Sequence, residues 1–272
     1  YGVHQNGIEI DRQANATLIA FDINQGVDKA AVARLMRLWT NDSAELTAGK
    51  PIIGDPQIEM AENPARLTIL VGYGNSLFQK TGIADKWPIA ETAIPGYQID
   101  RLEKRWSDGD LVVQITGDNP QSIFHAALVL ARDAEPFATV RWQQRGFLDP
   151  AGINTAEVSR NLMGQLDGTA NKPIVTKDFS EITWAKEGAL KDGTTMVVRR
   201  IRIAVKAWDK LSTNNKGVAL GRSLDNGAKL ESQSASSHVT RAFTTGATGI
   251  MRRGFNYDDN YLADGTRDAG LI

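Results

Sequence analysis

Three stretches of this chain bring together residue types that can do chemistry. They are Asp167 between Gly164 and Gly168, His238 within Ser237-His238-Val239, and the pair Arg252-Arg253. Glycines on both sides of Asp167 let backbone approach a partner that ordinary side chains would hold away. Leu162, Met163 and Leu166 precede the aspartate, so its carboxylate is expected to project from a partly apolar wall as a candidate general base. Taken alone, an Asp-Gly pair reads more simply as a turn in which the carboxylate caps its own backbone. A Ser-His-Asp hydrolase would need a nucleophile elbow such as G-x-S-x-G, and the sequence has none. One histidine with one aspartate is too poor a donor set for catalytic zinc. Haem needs only one protein ligand, commonly histidine, with polar groups on its other face. An aspartate there can move a proton, and an arginine can stabilise negative charge as an O–O bond cleaves.

Composition narrows the field further. The chain has 272 residues, enough for one large domain or two smaller ones, and its net charge of -1 argues against a general electrostatic footprint for nucleic acid or an anionic membrane. With no cysteine, disulfides, thiolate zinc sites, iron–sulfur clusters and cysteine nucleophiles are excluded. Three histidines leave little room for a multi-histidine metal site. No apolar run approaches the roughly 20 residues of a membrane-spanning helix.

The elements that must position these residues follow from periodicity. Thr17–Asp22 reads as a buried strand, and Ala31, Leu35, Leu38 and Trp39 recur at helical spacing from Val27 to Leu46. Arg66–Gly72 and Asp110–Thr116 read as strands, Asn119-Pro120 opens a helix through Arg132, and Phe137–Trp142 leads into a fourth strand. The order is βαββαβ, the ferredoxin-like arrangement of an antiparallel sheet with helices on one face, within an α+β fold. The second half reads as a partial repeat. Its expected strands are Ile182–Lys186, Thr194–Ala207 and one opening over Ala269–Ile272, with a short helix from Trp208 and a Gly/Ser/Asn-rich loop over 212–237.

With these residues assembled, the sequence resembles the dye-decolourising peroxidases, in particular their exported branch. Tyr1-Gly-Val-His-Gln-Asn-Gly-Ile8 is similar to the family's opening GxHQxGI. Val140-Arg-Trp142 with Arg145-Gly-Phe147 resembles the end of its first domain. Gly164-Gln-Leu-Asp-Gly168 with Thr169, Ala170 and Asn171 matches its GxxDG motif. Ser237-His238-Val239 resembles the haem-ligand segment, and Arg252-Arg253-Gly254 with Tyr257 its distal-arginine segment.

The resemblance implies two ferredoxin-like domains, here 1–150 and 151–272, with haem b held mainly by the second. It implies that His238 is the proximal iron ligand, that Asp167 and Arg252 are the distal catalytic pair, and that Gly168, Thr169 and Ala170 line the haem edge. The implied reaction is a peroxidase cycle, with hydrogen peroxide as acceptor and dyes, phenolics or other aromatic molecules oxidised through a ferryl intermediate. A secreted or periplasmic location is implied as well. Some exported relatives are linked to iron uptake, so a haem-binding or haem-iron-releasing, deferrochelatase-like role is the alternative. A haem-free structural relative is disfavoured by the joint presence of Asp167, His238 and Arg252.

The chain also departs from its relatives. Where they carry Asn-Pro-Arg after the ligand histidine, this chain has Phe243-Thr244-Thr245, so propionate anchoring would fall to Arg241 or Arg222. Relatives continue for several tens of residues past the point matching Ile272. The expectation is therefore a fragment, or a second polypeptide that completes the second domain, and poor haem binding by residues 1–272 alone; homo-oligomerisation stays open. His125, on an apolar helix, and His4 read as structural. Tyr257 and Tyr261 are candidates for carrying radicals to bulky donors, with core packing the favoured reading, and Arg199, Arg200 and Arg202 read as a solvated face.

Overall fold

The computed structural model describes residues 2–89, 94–150, 158–174, 176–243 and 249–272. The chain divides into two units, Tyr1–Arg145 with Ala185–Met196, and Gly146–Trp184 with Val197–Ile272.

In the first unit the expected βαββαβ order is present. Strand β1 (Asn15–Ile23) is followed by α1 (Lys29–Thr47), β2 (Thr68–Tyr73), a short α2 (Asn75–Lys80), β3 (Leu111–Gly117), α3 (Pro120–Ala134) and β4 (Ala138–Phe147). The strands lie in the order β2-β3-β1-β4, and β3 pairs antiparallel with both β1 and β2. The two long helices, α1 and α3, start where a side chain takes over an orphan amide. The Asp28 carboxylate accepts from Ala31 N at 2.7 Å, and Asn119 accepts from Gln121 N at 2.9 Å ahead of Pro120. Ala31, Leu35, Trp39 and Leu46 form the buried stripe of α1, and Leu35, Trp39 and Leu46 pack with Ile123, Ala126, Ala127 and Leu130 of α3 over Ile19, Phe21, Val113 and Ile115 of the sheet. The Trp39 indole donates to Leu130 O at 2.9 Å, so this aromatic is buried without stranding its N–H.

The opening motif has a structural role in this unit. Gln5 presents its side-chain amide to the edge strand β2, accepting from Val71 N and donating to Val71 O, both at 3.0 Å. The amide thereby closes a pair of edge hydrogen bonds that would otherwise be open. Gly7, at φ +101, lies against Thr68, where a left-handed backbone favours glycine.

One acidic pair makes stability depend on pH. Burial pushes the Asp133 carboxyl on α3 up to about 7, with the hydrogen bond and charge of Asp42 on α1 adding to the rise and Arg132 opposing it. The folded state therefore holds a proton between about pH 4 and about pH 7 that the unfolded chain has already lost, so this group's contribution falls as pH rises through that window. Discounted for partial exposure, the expected loss is on the order of 2 kcal/mol. Asp42→Asn should be more stable than the parent in urea melts at about pH 7.5, with the advantage gone at about pH 4.5. An equal difference at both pH values would contradict this assignment.

The second unit contains α4 (Lys177–Thr183), β5 (Ile201–Arg202), α5 (Val205–Asp209), α6 (Thr213–Leu220), α7 (His238–Phe243), β6 (Asn256–Tyr261) and β7 (Arg267–Leu271), with strand order β6-β7-β5 and antiparallel pairing. Several expectations change here. Ile182 and Thr183 end a helix whose cap is Thr176, accepting from Phe179 N at 3.2 Å, and do not open a strand. Of Thr194–Ala207, only Ile201–Arg202 is strand. The residues from Thr195 to Arg199 are exposed and gain no pairing strand among the described residues, so their β-propensity is not realised. The loop expected over 212–237 contains α6, started by Ser212 accepting from Asn215 N at 3.3 Å and ended by Gly221 at φ +82.

Candidate functional site

The site is assembled within the second unit, beginning with the loop that carries Asp167. Arg160 and Leu166 form an antiparallel bridge, Asp167 N donates to Ser159 O at 3.0 Å, and Asn161 N donates to Gln165 O at 2.9 Å. Gly164, at φ +78, turns the chain between these legs, and its N–H donates to Asn161 O at 2.8 Å. The polar hub of the turn is Asn161, which is buried. Its Oδ1 accepts from Met163 N at 2.9 Å and Gln165 N at 3.3 Å. Asn161 thus does the turn-capping that the simple Asp-Gly reading assigned to Asp167.

The Asp167 carboxylate meets side-chain partners. Its Oδ1 lies 3.0 Å from Arg252 Nη2, and its Oδ2 accepts from Asn161 Nδ2 at 3.4 Å. The Asp167 side chain is 13% exposed and that of Arg252 49%, so the pair sits at a surface with the carboxylate the more sheltered partner. The loop is braced from both sides. The Arg160 guanidinium donates to Gly164 O at 2.7 Å, to Leu224 O, and to Asp225 O at 2.7 Å. Asn256, at the start of β6, accepts from Leu162 N at 3.2 Å and donates to Arg160 O at 3.3 Å. Gly168, at φ +103, leads into exposed Thr169 and Ala170, and Asn171 N closes that turn on Gly168 O at 3.0 Å. Asn171 then bonds the Arg252 main chain twice, accepting from Arg252 N at 3.0 Å and donating to Arg252 O at 2.6 Å.

His238 is the first residue of α7. Buried Ser237 caps that helix, accepting from Thr240 N at 3.4 Å and donating to Thr240 Oγ1 at 2.8 Å. Ser237 is in turn held against Gly221, where an added Cβ would come within 2.7 Å of its Oγ. Buried Val239 ties α7 down, while His238 is exposed and its ring makes no hydrogen bond or ion pair among the described residues. It is not bonded to Asp167 or Arg252.

The other sequence candidates are committed elsewhere. The His125 ring is buried in the first unit, with Nε2 2.8 Å from Asp55 Oδ2, and His4 Nδ1 lies 3.0 Å from Glu9. Arg222 donates to Gly227 O at 2.8 Å, while Arg241 is exposed one helical turn after His238. Thr244 and Thr245, where the chain departs from its relatives, lie outside the described residues. Arg200 does not face solvent as a free cation. It pairs with Asp259 and Asp268, each at 2.9 Å, and stacks over the Tyr257 ring at 4.1 Å. Burial pushes the Tyr257 hydroxyl up to about 12, with Asp268 and Asp259 adding to the rise and Arg200 and Arg202 opposing it. Tyr257 is buried, as the packing reading expects, whereas Tyr261 is exposed and accepts from Arg267 at 3.1 Å. Sequence reasoning missed Asn161 and named Asn171 only as part of a motif. Asn161 stood at the head of the glycine-flanked stretch, but nothing local marked it as the hub.

These donors suit iron already held in a macrocycle better than a bare ion. One accessible imidazole without a partner can serve as a single axial ligand. No group of three or more His, Asp or Glu that could hold a metal ion occurs among the described residues. A sheltered carboxylate with an arginine 3.0 Å away is an arrangement that can move a proton and stabilise negative charge. No helix of the described residues is long and apolar enough to cross a membrane.

Known proteins resemble the chain along nearly its whole length. The chain is 31% identical over 304 residues to the dye-decolorizing peroxidase of Thermobifida fusca (strain YX), covering 98% of this chain and 71% of that protein. It is 28% identical over 317 residues to the deferrochelatase of Escherichia coli (strain K12), covering 100% of this chain and 74% of that protein. Among solved structures, ferric DtpA from Streptomyces lividans superposes with a TM-score of 0.92 at 34% identity, covering 100% of this chain and 81% of that one. The DyP-type peroxidase from Cellulomonas bogoriensis gives a TM-score of 0.92 at 35% identity, covering 100% and 82%. The model of the Dyp-type peroxidase N-terminal domain matches residues 5–148 and that of the C-terminal domain residues 158–272, and the chain belongs to the Dyp-type peroxidase family.

Proposed function

We propose that this protein is a haem b peroxidase that reduces hydrogen peroxide and oxidises dyes, phenolics or similar aromatic donors. The observation that carries the reading is the 3.0 Å pair of Asp167 Oδ1 and Arg252 Nη2, in the same unit as an imidazole, His238, that has no other partner among the described residues. His238 would ligate the iron, and Gly168, Thr169 and Ala170 would lie along the haem edge. Bound haem supplies the two-electron reduction of peroxide and the oxidising equivalents passed on to the donor.

The protein's own part is positioning and proton movement. Arginine stays protonated in proteins, so Arg252 cannot act as the base, and the mobile proton belongs to Asp167. The Asp167 carboxylate would take a proton from one oxygen of the peroxide and return it to the other, the outer oxygen, which would leave as water with the two electrons that haem supplies. The Arg252 guanidinium donates to that outer oxygen as negative charge builds on it. Asn161 Nδ2, on the other carboxylate oxygen, orients Asp167 during both transfers.

Rapid mixing of the haem-loaded protein with hydrogen peroxide tests the reading. We expect a Soret change faster than about 10⁴ M⁻¹s⁻¹, followed by dye bleaching over many turnovers. Release of free iron with decay of the Soret band and no dye turnover would replace this reading with the haem-iron-releasing one, which the similarity to deferrochelatases makes the specific competitor.

A further inference from the structure

The Arg252 side chain is half exposed, so packing alone does not hold it. A free arginine side chain samples many rotamers, and a charge-stabilising group is useful only when its position is fixed before the reaction. Arg252 also lies outside regular secondary structure, ahead of β6, so no ladder holds its backbone. Among the described residues, the hydrogen bonds to its main chain are the two from Asn171: Arg252 N to Asn171 Oδ1 at 3.0 Å, and Asn171 Nδ2 to Arg252 O at 2.6 Å.

We infer that Asn171 is the positioning residue for Arg252, using its amide in place of a neighbouring strand to lock the arginine main chain. The inference rests on the reading of Arg252 as the group that stabilises charge on peroxide. An amide is the side-chain group that suits this role, because it presents one acceptor and one donor in a plane, matching the N–H and C=O of a single residue. Aspartate would retain the acceptor for Arg252 N and place a negative oxygen against Arg252 O. Alanine would retain neither bond. Asn171 also closes its own turn on Gly168 O at 3.0 Å, so the turn that follows Asp167 carries the amide that holds Arg252. The 3.0 Å separation of the catalytic pair is therefore set twice, once by the ion pair and once by the main-chain lock.

The test is a double-mutant cycle on the haem-loaded protein, with Asn171→Ala made in the parent and in an Arg252→Ala background. Two readouts are followed: the rate of the Soret change with peroxide, and the spectroscopic affinity of the ferric protein for fluoride, which responds to a fixed distal donor without turnover. In the parent background, Asn171→Ala should slow the peroxide reaction about tenfold to a hundredfold, the scale of a misplacement near 1 Å. It should also weaken fluoride binding severalfold at unchanged haem loading. In the Arg252→Ala background it should change neither readout further. If Asn171→Ala loads haem poorly, Asn171→Asp, which keeps one of the two bonds, should show the same pattern at smaller size. An equal loss with and without Arg252, or no loss in the parent, would overturn the inference while leaving the peroxidase reading in place. Parent-like behaviour of Arg252→Ala itself would remove that reading, and this inference with it.

Discussion

His238→Ala should leave a folded protein that no longer retains haem, with the Soret band lost after gel filtration and peroxide-dependent dye oxidation lost with it. The expectation combines two facts that would normally point in opposite directions. The His238 side chain is exposed and makes no hydrogen bond or ion pair among the described residues, so its removal deletes no packing and breaks no partner. Changes of that kind usually move stability by less than about 0.5 kcal/mol. A residue so expendable to the fold can still be indispensable to a cofactor when it provides the single strong ligand to its iron. The unliganded variant should therefore melt with the parent apoprotein, and added imidazole should restore part of the Soret band by entering the vacated position. Tight haem retention by His238→Ala would remove His238 as the proximal ligand. A large fall in apoprotein melting temperature would show instead that the histidine is structural.

Asp167→Asn is expected to cause the second large effect, a loss of about 10² to 10⁴ in the rate of reaction with peroxide, at normal haem content. The substitution preserves shape. The amide oxygen of the new side chain can still accept from Arg252 Nη2 across the 3.0 Å now spanned by the ion pair, so the loop should stay closed. What is lost is a group that can accept a proton and give it back. Because the carboxylate side chain is only 13% exposed, solvent is poorly placed to substitute for it. Stopped-flow traces over a range of peroxide concentrations would measure the effect. A rate close to that of the parent would mean that Asp167 is not the proton carrier, and the mechanism would then have to route that proton elsewhere.

Legibility in the sequence differed between the two units for physical reasons. In the first unit, the helix stripe Ala31, Leu35, Trp39 and the caps Asp28 and Asn119 are local signals, and the strands and helices arose where periodicity placed them. In the second unit, the residues from Val197 to Arg199 have β-propensity but lack a neighbouring strand among the described residues, while Thr213–Leu220 is a helix of small and polar residues with almost no apolar stripe. Propensity decides structure only where packing agrees with it. Ser212 and Gly221 were the local marks of that helix, a cap and a left-handed stop within a stretch whose composition otherwise reads as loop.

The sequence by itself determined the available chemistry: one aspartate among glycines, one histidine and one arginine in family-like segments, and no cysteine to compete with them. Residue types and short spacings are enough for that, because they fix which donors and acceptors exist. Only the tertiary structure decided how these groups are used. It gave turn-capping to Asn161 and set the Asp167 carboxylate 3.0 Å from Arg252. It left His238 exposed while burying His125 against Asp55. It also joined Asn171 to Arg252 across 81 positions of chain. A polar side chain can choose among many partners of equal chemical quality, and the choice is made by which backbones packing brings within about 3 Å, a distance that local sequence patterns do not encode.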